Sequence, residues 1–272
     1  MLAPFRPVAF ILSSTDHGTM IVNRNDYHTD ATGKTFGVGY ELLQFSSFTS
    51  QEINSLLQMF TLRRQQFGDG VVAIDGGANI GVHTIEWARH MTGWGHVLSF
   101  EAQEVVYYAL AGNIIINNCL NAHAKLAALG EEVGELTIPR PDYFKPSTFG
   151  SLEIKPQQLH EYIGQPISYD PSTGVSVPLV SIDSLNLQRV DFIKLDIEGM
   201  EFEALKGAQK TIQAHRPILF IEIIKSDIEQ IIGFFNQIDY ICLKEHMNIF
   251  AIHKNDPIWP HIVHGGNSST NS

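Results

Sequence analysis

From Val71 to the C-terminal region, short apolar runs alternate with segments of helical period, and this constrains the chain more than any other feature. Strands that read as near-continuous apolar runs must be buried on both faces, which a parallel sheet covered by helices on each side provides. Residues 71–75, 96–101, 124–129, 192–196 and 218–222 read as such strands. Residues 79–90, 105–118, 201–214 and 228–236 carry apolar side chains at three-to-four spacing and read as the intervening helices. Two closing strands follow at 240–243 and 248–253. The expectation is an α/β fold of Rossmann-like type.

Two segments break the rhythm. Residues 136–180 hold seven prolines and little helical period, too long for a plain connection, and read as an insertion of short strands and loops near the site. Residues 1–60 are a polar, glycine-dotted addition ending in an amphipathic helix over 50–64, with Ser50 as its expected N-cap. The remainder, 61–264, is the expected catalytic domain, and 265–272 is a tail of Gly, Ser, Asn and Thr expected to be disordered.

Composition narrows the partners. Twenty-nine acidic residues against eighteen Lys and Arg give a net charge of −11, with no basic run, so the chain is poorly suited to gripping a phosphate backbone and no nucleic-acid partner is expected. Cys119 and Cys242 have no partners at metal-ligand spacing and read as reduced thiols of a cytoplasmic protein. The apolar run 7–12 is short and lacks a small-residue cleavage site, so it is not taken as a signal segment. No stretch approaches the ~18 apolar residues a membrane span needs, and no membrane partner is expected.

The sharpest local signal is Asp75-Gly76-Gly77-Ala78-Asn79-Ile80-Gly81, which follows a strand and opens a helix. Glycines there allow a tight turn and close approach of a nucleotide-bearing ligand to the main chain. Alone such a turn is weak evidence, because any tight turn favours glycine. Its context adds Glu101 at the end of the next strand, placed to accept hydrogen bonds from ribose hydroxyls. Asp75, Glu101, Asp196 and Glu222 all fall at strand carboxyl ends, where open α/β sheets bind ligands. An acid just before the glycines is a poor neighbour for a pyrophosphate, whereas S-adenosylmethionine carries no phosphate and has a cationic sulfonium. The methyl donor is therefore favoured over NAD.

The second segment, residues 191–201, places Lys194 inside a strand and Asp196 and Glu198 beyond its end. A buried ammonium is costly unless paired, so Lys194 is expected to form a structural ion pair with Asp75 or Glu222 on a flanking strand. Asp196 and Glu198, emerging at the ligand edge, are the expected catalytic pair, brought to one side by alternation along an extended chain.

These two motifs, with Leu205-Lys206-Gly207-Ala208 and Ile221-Glu222, resemble the FkbM-type methyltransferase family over residues 71–225. The resemblance implies a seven-stranded class I methyltransferase fold, mostly parallel with its last strand antiparallel. It further implies methylation dependent on S-adenosylmethionine, often of a sugar or natural-product hydroxyl. It implies that Asp75, Gly76, Gly77, Ala78, Asn79 and Gly81 hold the methionine end and Glu101 the ribose. Ala128 would line the adenine slot and Asp196 would lie near the transferring methyl. Gly76 departs from the pattern, since similar sequences more often carry cysteine or valine there.

Methyl transfer needs the acceptor oxygen close behind the methyl and relieved of its proton. Asp196 and Glu198 are the leading candidates for that proton, with His83 and His17 read first as structural. Asp196 and Glu222 terminate adjacent strands, but no third ligand is legible, so no metal is expected. The acceptor is expected to be a small molecule or glycan, with Phe149-Gly150-Ser151 closing over it. Rival readings are an NAD-linked oxidoreductase and a non-catalytic binding module on the same scaffold. Oligomeric state is not legible.

Overall fold

The structure, a computed structural model, describes residues 7–155 and 161–265. Of the tail 265–272, only Gly265 lies among them, where it closes the last helix. The chain opens with a hairpin of β1 (Phe10–Thr15) and β2 (Gly18–Asn23), so the apolar run at 7–12 leads into a strand. The two-stranded pair β3 (His28–Thr29) and β4 (Thr35–Phe36) follows. Next come α1 (Val38–Phe45) and α2 (Ser50–Phe67). Thr49, not Ser50, holds the cap position of α2, with φ of 46° and no side-chain capping bond. The apolar face of α2 reaches the core through Phe60, whose ring meets those of Trp87 and Phe192 at 5.2 and 5.1 Å between centroids.

The alternating region then yields β5 (Val71–Gly76), α3 (Val82–His90), β6 (Gly95–Glu101), α4 (Glu104–Ile116) and β7 (Ala122–Leu126). After β8 (Ala128–Leu129), β9 (Gly134–Ile138) and β10 (Val175–Val180) come β11 (Phe192–Leu195), α5 (Glu201–Lys206) and α6 (Gln209–His215). The chain closes with β12 (Ile218–Glu222), α7 (Ile228–Asn236), β13 (Tyr240–Glu245), β14 (Asn248–His253) and α8 (Trp259–Gly265).

Seven of these strands form one sheet in the order β13-β14-β12-β11-β5-β6-β7. All run parallel except β14, which is antiparallel to both β12 and β13, as the expected fold requires. Successive residues bury on opposite faces, as a pleated strand dictates. Phe192 and Ile218 pack beneath α2, α3 and α4, while Ile193 and Leu219 pack against α5, α6 and α7.

Three expected elements differ in detail, each for a local reason. The strand expected over 124–129 is two: β7 pairs with β6, then β8 pairs with β10 in a separate sheet of order β8-β10-β9 that carries the 136–180 region. The helix expected over 201–214 breaks at Gly207, whose α-carbon lies so close to Gly130 that a β-carbon would stand 2.0 Å from the Gly130 carbonyl oxygen. Asp183 then caps α6 from a distant part of the chain, accepting from the amides of Lys210 and Thr211. The helix expected from 79 starts at Val82, because Asn79 and Gly81 adopt left-handed φ values of 50° and 94°.

The crevice of an α/β sheet lies where neighbouring strands are continued in opposite directions. Here that point falls between β5 and β11, flanked by the glycine loop and the segment after Leu195. Gly77 sits at the crossing with φ of 74°, and a β-carbon on it would lie 1.7 Å from the Asp196 carbonyl oxygen. Gly76 is less constrained, since the nearest obstacle to its β-carbon is the Leu129 side chain at 2.8 Å. Leu129 thus occupies the space that a larger residue at 76 would fill. Gly77→Ala should therefore destabilise the protein more than Gly76→Ala, by at least the ~1–2 kcal/mol of a left-handed non-glycine residue. Urea unfolding of the two variants checks the order, and equal midpoints would contradict it.

Candidate active site

The glycine loop is held from β6. The amides of Gly77 and Ala78 both donate to the Phe100 carbonyl, at 3.0 and 2.9 Å. One step on, the buried Glu101 carboxylate accepts from the Asn79 amide at 2.9 Å and from the Gln103 amide at 2.8 Å. Burial pushes Glu101 up to about 7 while those amides pull it back. Asn113, fully buried on α4, donates to the Ile80 carbonyl at 2.8 Å and accepts from the Ile21 amide, tying loop, helix and N-terminal hairpin together. Glu101, Ala128, Leu129, Leu152 and Ile154 line a narrow slot beside the loop, apolar but for the carboxylate.

The slot leads to a cavity of about 310 Å³, floored by Gly77, Ala78 and Asn79. Asp196, Glu198 and Glu222 form its acidic wall, and Asp26, Phe36 and Phe48 of the N-terminal addition form its roof. Asp26 fixes that roof: its carboxylate accepts from the Gly39 amide at 2.9 Å and the Phe149 amide at 3.1 Å. Burial raises it to about 6 against those two bonds. The segment Phe149–Ser151 forms a single 3₁₀ turn over the cavity. It is also held by Gln103 Nε2 on the Phe149 carbonyl at 2.8 Å and Lys225 Nζ on the Ser151 carbonyl at 2.7 Å. Asp26, Gln103, Asn113 and Lys225 were not singled out from sequence, and no local pattern marks them.

Lys194 is buried in β11, with its ammonium 2.9 Å from Asp196 and 3.8 Å from Asp75. Burial works against the charge, but the Asp196 and Asp75 carboxylates outweigh it and hold Lys194 above the usual lysine range. Asp75, 0% exposed, also accepts from the Thr84 hydroxyl at 2.6 Å. It therefore lies behind the cavity wall with Gly76 and Gly81, whereas Gly77, Ala78, Asn79, Glu101, Ala128, Asp196 and Glu198 line the slot or cavity. The acidity facing a ligand comes from the wall, not from Asp75.

Asp196 and Glu198 share that wall, although not through alternation along a strand. Glu198 has φ of 56° and Gly199 of 94°, so the chain turns sharply there. Glu201 holds the turn, accepting from the Ile197 amide at 2.9 Å, from the Gly199 amide at 3.0 Å and from the Ser226 hydroxyl. Lys225 pairs with Glu198 at 2.6 Å and Glu161 at 3.0 Å. Burial, then repulsion from Asp196, raises both Glu198 and Glu222 above the usual carboxylate range.

One oxygen from each of Asp196, Glu198 and Glu222 lies within 4.8 Å of the others. Glu198, named from sequence only as half of the catalytic pair, is thus the third carboxylate beside Asp196 and Glu222. Three such oxygens can hold a divalent cation, but two of the three side chains already face an ammonium, Lys194 or Lys225. The same wall suits a sulfonium or ammonium of a ligand.

The two histidines differ. His17 spends both ring nitrogens on structure: Nδ1 on Glu86 at 2.9 Å, and Nε2 as acceptor from the Phe48 amide at 3.0 Å. His83 lies on the cavity, with Nε2 bonded to Glu52 at 2.9 Å.

A mostly parallel seven-stranded sheet with its last strand antiparallel, and a glycine loop at the carboxyl end of its central strands, have the architecture of a class I methyltransferase fold. The chain belongs to the family of the methyltransferase FkbM domain, which matches residues 75–242. It is 25% identical over 160 residues to methyltransferase sdnD of Sordaria araneosa, covering 50% of this chain and 60% of that protein. To methyltransferase 1 of Beauveria bassiana (strain ARSEF 2860) it is 27% identical over 154 residues, covering 52% and 59%. The chain thus spans about three-fifths of the length of the curated relatives it matches. A crystal structure of methyltransferase FkbM from Methylobacillus flagellatus KT aligns with a TM-score of 0.46 at 21% identity, over 67% of this chain and 43% of that one.

Two outcomes follow from the buried charges. Lys194→Met should cost ~3–5 kcal/mol, because it strands a carboxylate that has no exposure and no other cation within ion-pair distance among the described residues. A variant of wild-type stability, with only an acceptor Michaelis constant changed, would place Lys194 against substrate instead. Glu101 holds its proton to higher pH when folded than when unfolded, so its contribution to stability falls as pH rises from 4.5 to about 7. Glu101→Gln carries no such titration, so in ligand-free protein its stability should improve relative to wild type across that window, whatever its constant offset. Denaturation curves at both ends of the window measure this, and a fixed difference would refute it.

Proposed function

We propose that this protein transfers a methyl group from S-adenosylmethionine to a hydroxyl of a neutral small molecule or glycan, as a sugar or natural-product O-methyltransferase. The observation that carries this reading is the acidic wall of Asp196, Glu198 and Glu222 facing the glycine loop across the cavity. A dinucleotide would bring a pyrophosphate against those carboxylates, whereas the donor brings a sulfonium and an ammonium and compensates them. Glu101, at the far end of the slot, accepts the ribose hydroxyls, Ala128 and Leu129 enclose the adenine, and Gly77 to Asn79 lie along the methionine end. The residues present therefore fit the donor, which supplies an electrophilic methyl on a positive sulfur.

In this reading Asp196 and Glu198 hold the cationic end of the donor and orient the acceptor. Their loss should lower turnover more than nucleoside affinity. The roof of Asp26, Phe36, Gly150 and Ser151 excludes water and sets how deeply the acceptor enters. The lining also argues the acceptor's charge. Asp26 and Glu41 join the three wall carboxylates, and Lys194, already paired twice, is the only lysine or arginine among the lining residues. An anionic acceptor would meet repulsion there, and a nucleic acid most of all, given the net charge of −11.

Calorimetry with S-adenosylhomocysteine and with NAD tests the donor. The demethylated donor should bind, and at ~100 times its dissociation constant should raise the unfolding free energy by about 2.7 kcal/mol. Binding of NAD alone would overturn the assignment. Untargeted comparison of metabolites and glycans from cells with and without the gene should then reveal a species lacking one methylene mass. Donor binding without any such species would favour a binding module on the same scaffold.

A further inference from the structure

We infer that His83 is the proton acceptor of the reaction and that Glu52 and Asn248 are the residues that position it; this rests on the methyl-transfer reading above. His83 stands in the first turn of α3, immediately after the glycine loop, and lines the same cavity as Asn79, Asp196, Glu198 and Glu222. Its Nε2 lies 2.9 Å from Glu52 Oε1 on α2. Glu52 Oε2 in turn accepts from Asn248 Nδ2 on β14 at 3.3 Å. The ring edge rests against the buried Trp87 at 5.6 Å between centroids, which fixes its plane.

The tautomer follows from the partner. An ionised carboxylate only accepts hydrogen bonds, so Nε2 carries the hydrogen and the neutral ring keeps its lone pair on Nδ1. No described residue hydrogen-bonds to Nδ1. His17 provides the contrast within the same fold, with both nitrogens committed to protein groups. A ring held by a carboxylate through one nitrogen, with no protein partner on the other among the described residues, in a residue that lines the cavity, is the arrangement of an oriented general base. The wall carboxylates are less suited to the task. Asp196 and Glu198 face the ammonium groups of Lys194 and Lys225, and Glu222 stands beside them in the wall that would meet the donor's positive charge.

The step balances without a further reactant. The acceptor oxygen forms a bond to the donor's methyl carbon as the sulfur–methyl bond breaks, and the electron pair of that bond stays on sulfur, leaving a neutral thioether. The acceptor O–H bond breaks and its proton passes to His83 Nδ1. Glu52 stabilises the imidazolium, which returns the proton to water when the products leave.

The test uses the full chain labelled with ¹⁵N-histidine and saturated with S-adenosylhomocysteine. Long-range ¹H–¹⁵N spectra near neutral pH should show His83, assigned by its disappearance in His83→Gln, with Nε2 protonated and Nδ1 bare. Glu52→Gln should mix the two tautomers, a change that a merely structural contact would not produce. A wild-type ring protonated at Nδ1 would overturn the proposal. In cells lacking the gene, His83→Gln should restore less than about a tenth of the methylated species, in line with the ~10²–10⁴-fold worth of general-base assistance. It should still bind S-adenosylhomocysteine as tightly as wild type. Full restoration of product, or loss of S-adenosylhomocysteine binding in His83→Gln, would remove His83 from this role. Failure of the wild-type chain to bind S-adenosylhomocysteine would instead refute the methyl-transfer reading itself.

Discussion

An ammonium buried inside a parallel sheet sets the terms for the rest of this structure. Lys194 lies on the central strand β11, and its charge is tolerable only because Asp75 on β5 and Asp196 at its own strand end stand within ion-pair distance. Removing a charge from water costs several kcal/mol unless partners compensate it. That requirement fixes the register of β5 against β11, which pairs Lys194 with Asp75, and brings the glycine loop beside the segment after Leu195. The cavity opens where those two segments diverge.

The loops around the cavity are held mainly by side chains that bond to backbone amides and carbonyls. Glu101 takes two amides of the glycine loop and the start of α4, Glu201 takes two of the turn bearing Glu198, and Asp26 takes two that join roof to insertion. Each carboxylate is buried, and each is raised by burial despite its amides. The site is therefore costly in the absence of ligand, with several acids desolvated at once. In the proposed reading, a bound positive charge would relieve the repulsion that the fold imposes on the wall.

In the proposed reading, functional labour divides around the cavity: the wall of Asp196, Glu198 and Glu222 compensates the donor's charge, and His83 with its carboxylate partner takes the acceptor's proton. Sequence spacing pointed to Asp196 and Glu198 for both tasks, since they follow the most conspicuous strand. Their proximity in space is real, but Lys194 and Lys225 occupy them.

The sequence by itself determined the sheet, the order of strands and helices, the glycine loop and the acids at strand ends. These are local or periodic signals: apolar runs need burial on two faces, glycines at 77 and 81 permit positive φ, and strand ends lie a fixed step beyond apolar runs. The tertiary structure decided which acids line the cavity. Asp75 reads like a ligand residue but points into the sheet, because Lys194 on the next strand requires it there. It also decided that Glu52 and Asn248, 196 positions apart, meet beside His83, and that Asp26 reaches Phe149 across 123 positions. Contacts at such separation depend on how α2, β14 and the inserted turn pack against one another. No residue pattern near any one of them encodes that geometry.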